Sequence, residues 1–130
     1  MVYSDVEWDS TTATDTTISN GTITGAGSCS NYTSNCRSVY ALNHGNNESI
    51  EITVNSSDAS NRFVAGLGKD PYSSSSLYDA VEYAWHWSHS ASQWHINESG
   101  TQVGSYSGNI TDTVRISRNG DYIKYYVKDP

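Results

Sequence analysis

Residues 83–96 read YAWHWSHSASQWHI, and they hold three of the chain's four Trp and three of its four His. How this stretch divides decides the fold. With a strand's two-residue period, Val81, Tyr83, Trp85 and Trp87 share one face, while Glu82, Ala84 and His86 share the other. Residues 88–91 are small and polar and read as a turn. Beyond them Trp94 and Ile96 fall together, with His95 and Asn97 opposite. The stretch therefore predicts two strands with Trp85 and Trp94 in the core. If the strands pair as a hairpin, His86 and His95 lie side by side on the outward face. Trp87, beside the turn, fits either the core or an exposed contact.

The rest of the chain supports a β reading. It has 130 residues, ten Tyr, one Phe and one Met, so aromatic rings must supply much of the core. That length fits one domain, residues 1–130. Strand-like alternation recurs. VYSDVEW opens the chain, and TTISNGTITG carries Ile18 and Ile23 around an Asn20-Gly21 hairpin signal. SVYALN follows residues 29–36. SIEITVN then puts Ile50, Ile52 and Val54 inward, and NRFVAGLGK aligns Phe63, Ala65 and Leu67. Gly66 and Gly68 predict a bend or a close approach by another backbone. TQVGSYSG is a short strand, and DTVRISRNGDYIKYYV is a hairpin turning at Asn119-Gly120. Roughly ten short strands at regular spacing predict a two-sheet antiparallel β-sandwich.

Charge and cysteines narrow the setting. A net charge of −7, with three Lys and four Arg, argues against nucleic acid and against anionic lipid. No apolar run is long enough to insert into a membrane. Cys29 and Cys36 sit in GSCSNYTSNCRS. The favoured reading is a local disulfide in an oxidising compartment; two free thiols are the alternative. Six N-x-S/T triplets begin at Asn20, Asn31, Asn47, Asn55, Asn97 and Asn109. Chance at this composition accounts for roughly three. The excess predicts a secreted, N-glycosylated protein. No apolar leader follows Met1, so such a chain is expected to be a processed piece or to carry an added Met1.

The second half carries a resemblance. FVAGLGK, a loop, DAVEYAWHW, QWHINESG and TQVGSYSGNITDTVRISRNGDYIKYY run in an order similar to concanavalin A-like (legume-lectin/SPRY-like) jelly-roll modules of large secreted and cell-surface proteins. The likeness rests on the turn Asn97-Glu98-Ser99-Gly100, on Asp112, Val114, Arg115 and Ile116, and on Ile123, Lys124, Tyr125 and Tyr126. VEW, Glu7 included, matches the first-strand position. The resemblance implies a jelly roll with a recognition or adhesion role. It also implies a further closing strand after KYY, whereas here the chain ends VKDP. Either the chain is cut short, or another segment or a neighbouring molecule supplies that edge.

The chemistry-bearing residues give four readings. Jelly-roll glycosidases place paired carboxylates on one strand as E-x-D-x-E, and none occurs here. With no G-x-S-x-G, H-E-x-x-H or phosphate-binding loop either, the expectation is a non-enzyme. A metal held by His86, His89 and His95 with His44 competes with histidines on a wetted polar face, and the wetted face is favoured. No cofactor is expected, with calcium at Asp70 and Asp79 the weak exception. Carbohydrate binding would use exposed rings and polar neighbours. Tyr72, Tyr78, His86, Trp87 and His95 are the candidate contacts, with Tyr106 and Tyr126 also available. The function expected is a non-catalytic extracellular recognition module for carbohydrate or cell-surface glycans. The alternative is a glycosylated structural subunit that self-associates into a filament through sheet edges or strand donation.

Overall fold

The computed structural model describes residues 16–19, 22–25, 47–55, 63–68 and 81–128, with residues 16–19, 22–25 and Lys128 as backbone only. The chain divides into two compact units, Met1–Ala41 and Leu42–Pro130. In the first, β1 (Thr16–Ser19) pairs antiparallel with β2 (Thr22–Gly25), Ile18 opposite Ile23. This is the hairpin that Asn20-Gly21 predicts. The strands predicted in VYSDVEW and SVYALN lie outside the described residues, as do Cys29 and Cys36.

The second unit is a β-sandwich, and no described residue is helical. One sheet has three strands in the order β3 (Glu48–Ile52), β8 (Thr113–Asn119), β9 (Tyr122–Lys128). The other has four, β4 (Phe63–Gly68), β5 (Val81–Ser88), β6 (Gln93–Glu98), β7 (Thr101–Tyr106). Every pairing is antiparallel. The alternation of the sequence decides which side chains meet between the sheets. Trp85, Trp87, Trp94, Ile110, Val114 and Ile116 form the buried cluster, with Ile50, Ile52, Val54, Phe63 and Leu67 packed against it.

The rings meet edge to face. Trp94 takes Phe63, Trp85 and Trp87 at centroid distances of 6.3, 6.1 and 5.4 Å. Trp85 also meets Tyr125 of the facing sheet at 5.8 Å and 89°. Such pairs add about 0.5–1.5 kcal/mol each beyond the area they bury. Buried indoles also need acceptors. Trp85 Nε1–H donates to the Arg115 carbonyl at 3.1 Å, and Trp94 Nε1–H to the Asn109 carbonyl at 2.9 Å. Tyr125 on β9 donates its hydroxyl to Glu98 Oε1 on β6 at 3.2 Å, a second polar link between the sheets.

The turns follow their residues. Ser99 and Gly100, both with positive φ, join β6 to β7 in the two-residue pattern of a type I′ turn. Gly120-Asp121 joins β8 to β9, with positive φ at Gly120 only, the type II′ pattern. This moves the predicted Asn119-Gly120 turn on by one residue, because Asn119 itself pairs with Tyr122. Likewise the β5–β6 turn is 89–92, since Ser88 pairs with Gln93. The link from β7 to β8 closes on itself. Asp112 N–H donates to the Asn109 carbonyl at 3.0 Å, and Asn109 N–H donates to Asp112 Oδ2 at 2.8 Å.

Candidate functional site

Each sheet has an outward face, and the two faces differ. On the three-stranded sheet, alternation sends Glu51 from β3, Arg115 and Ser117 from β8, and Tyr122, Lys124 and Tyr126 from β9 outward. Glu51, Arg115 and Tyr126 form one row across all three strands; Ser49, Ser117 and Lys124 form the next. The Arg115 guanidinium lies 4.3 Å from the centre of the Tyr126 ring, a cation–π contact that fixes the ring's pose. Tyr122 is 73% exposed and Tyr126 38%. They stand four positions apart on β9, about 13 Å along the strand.

The hairpin that carries this face is rich in basic residues. Of the chain's seven basic residues, Arg115, Arg118, Lys124 and Lys128 all belong to the β8–β9 hairpin. Arg118 falls on the other side of β8, with Val114 and Ile116, and its Nε donates to the Gly120 carbonyl at 3.5 Å. Arg115 and Lys124 remain on the face, with Glu51 as the acidic neighbour of Arg115. Two exposed rings and charged or hydroxyl groups thus stand together on one sheet face.

The four-stranded sheet behaves otherwise. Val64, His86, His95 and Ser105 form a row across its outward face. The His86 and His95 rings stand 5.7 Å apart at 80°, the side-by-side placement the sequence predicts. Gln93 Nε2 is 3.1 Å from His95 Nε2 and orients that ring. Burial holds the His95 imidazole below its ordinary value of 6.5. On this face Ala84, Ser88 and Asn97 are buried, His86 and His95 half-buried and Ser105 exposed, so the face is covered in part and wetted at its β7 edge.

Two expectations need correction. Trp87 is 1% exposed and packs edge-on against Trp94, its partner in register, so it is a core residue and not a ligand contact. Asn97 is 2% exposed on β6, and an amide so enclosed cannot carry a glycan in this fold. Asn47, Asn55 and Asn109 are exposed. Asn109 uses its backbone groups to build the turn before β8, and its sequon sits on that turn.

Tyr72, Tyr78, Asp70, Asp79, His44, Asn20 and Asn31 lie outside the described residues. Among the described residues no three His, Cys, Asp or Glu side chains converge as metal ligands, and no helix is long and apolar enough to cross a membrane. Tyr122, Arg115 and Lys124 were not among the candidate contacts. The alternation of YIKYYVK already placed Tyr122 with Lys124 and Tyr126, so that part of the face was there to be read. Comparison with protein-family models, with characterised proteins and with solved structures finds no match to this chain.

Proposed function

We propose that the chain is a non-catalytic extracellular recognition module that binds carbohydrate through the outward face of the β8–β9 hairpin. The observation that carries this reading is the exposed Tyr122 and Tyr126 pair on one rigid face, with Arg115 fixed against Tyr126. A ring already held in place loses little freedom on binding, which favours weak polar ligands. Arg115 and Lys124 favour saccharides bearing carboxylate or sulfate. The sequon excess and the Cys29–Cys36 spacing support a secreted, glycosylated and disulfide-bonded chain. The concanavalin-like order of motifs supports a recognition role by analogy only.

A glycan array carrying neutral, uronate and sulfated saccharides tests this reading. Binding is expected, strongest to the acidic glycans, and lost in Tyr122→Ala and Tyr126→Ala at unchanged thermal stability. Absence of binding, or binding indifferent to both substitutions, sinks it. Tyr72→Ala and Tyr78→Ala belong in the same series.

A second reading, the self-associating filament subunit, rests on β7. Its sequence TQVGSY has no charge and no proline, Val103 is 56% exposed, and β6 is its one hydrogen-bonded neighbour among the described strands. Charge and proline are what usually keep an edge strand from pairing. Sedimentation at micromolar concentration distinguishes the readings, because a stable monomer excludes filament assembly.

A further inference from the structure

We propose that His86 and His95 form a two-histidine site for a borderline divalent cation (Zn²⁺, Ni²⁺ or Cu²⁺), with water completing the coordination. The pair is set by register and not by flexible loops: His86 faces His95 directly across β5 and β6. A ring nitrogen at about 2.0–2.1 Å from zinc puts its ring centre about 3.2 Å from the metal, so two rings at a tetrahedral angle stand about 5.2 Å apart. The observed centres are 5.7 Å apart, so a small side-chain rotation closes the bite. The interplanar angle of 80° means the rings do not stack, which leaves their nitrogens able to converge from two directions.

The surroundings suit a cation. Gln93 contacts His95 Nε2 at 3.1 Å. As placed, the amide nitrogen donates to Nε2; turning the Gln93 amide over brings its oxygen to accept from Nε2–H and leaves Nδ1 as the metal-facing atom, the outer-shell support common to imidazole ligands. Val64, Ala84, Ser88, Asn97 and Ser105 surround the pair on this face, none of them cationic. Glu82, further along β5, is the acidic residue of the same face. Ser105 on β7 is exposed, so the His95 end of the row opens to solvent and gives a metal its way in. Imidazole pairs select nickel, copper and zinc over calcium or magnesium, which prefer oxygen. The site is on the other sheet from the proposed saccharide face and stands or falls independently of it.

The test uses the full chain, stripped with chelator and titrated with Zn²⁺ alone, followed through the imidazole resonances by NMR. The His86 and His95 rings are expected to shift together and saturate at one metal per chain, with His44 and His89 unmoved. His86→Ala and His95→Ala should each weaken binding by roughly tenfold or more, and Gln93→Ala by about tenfold. Shifts confined to other histidines, unchanged affinity in His95→Ala, or no binding at millimolar metal would overturn the proposal. Should a histidine variant fail to fold, the resonances of the unsubstituted protein decide the matter alone.

Discussion

Trp85 and Arg115 tie the two sheets together: the indole of one donates to the backbone carbonyl of the other at 3.1 Å. The same indole ring packs edge-on against Tyr125 of the facing sheet. Trp85→Phe keeps an aromatic ring but leaves the carbonyl unpaired and a void behind it. The expected loss is about 2–4 kcal/mol of stability. Urea unfolding should show a lower midpoint at an unchanged slope.

Asp112 controls the crossing from one sheet to the other. Its carboxylate takes the Asn109 N–H, and Asn109 in turn holds the Trp94 indole. Asp112→Ala should lose about 1–2 kcal/mol. Asp112→Asn retains an acceptor oxygen and should recover at least half of that. Equal losses in thermal unfolding of the two variants would show that the carboxylate's hydrogen bond is not what matters.

His95 makes stability depend on pH near neutrality. Its pKa is lowered in the fold by burial, so the unfolded chain takes up a proton first as pH drops. The contribution is complete above the ordinary value of 6.5 and declines as pH falls through it. The effect is small, because the ring retains solvent on one side. His95→Gln should flatten the stability profile between about pH 7 and 5.5, as followed by chemical unfolding at a series of pH values.

Tyr125 acts at the alkaline end. Burial, and then the adjacent Glu98 carboxylate that accepts its hydrogen bond, raise its pKa well above the ordinary 10.0, with Tyr83 adding to the rise. The unfolded chain ionises first here, so stability falls as pH climbs above 10.0. Tyr125→Phe should reduce that slope. Phenolate absorbance of this residue should rise together with unfolding.

Periodicity made much of this legible. The alternation of Trp85, Trp94 and Ile96 gave both the hairpin and its core face. Gly66 predicts a bend or a close approach by another backbone, and the structure has the close approach. Indeed, a Cβ there would run into the Tyr83 carbonyl oxygen of β5 and lie 2.8 Å from Ala84 Cα. What escaped was whatever depends on register or on neighbours distant in sequence. Trp87 was undecided because its burial follows from Trp94 standing opposite it, a pairing set by the length of the 89–92 turn. The Asn119-Gly120 signal was off by one because Gly120 supplies a positive φ equally well at either position of a two-residue turn. Asn97 was placed on the correct face, but alternation says nothing of whether a face is covered. The Arg115–Tyr126 stack requires β8 and β9 to pair in one particular register, and only the folded hairpin fixes it.

The order of strands also sets a timetable for synthesis. β3 pairs with β8, and the hydroxyls of Thr53 and Thr113, sixty residues apart, meet at 2.8 Å. The four-stranded sheet is encoded wholly between them. A ribosome adding 5–20 residues per second therefore leaves β3 waiting about 3–12 s for its partner. During that interval Ile50 and Ile52 have no sheet to enter, while β5, β6 and β7 close locally through short turns. The nascent chain is most vulnerable to wrong pairing at its β3 segment, before the hairpin carrying Tyr122 and Tyr126 exists to receive it.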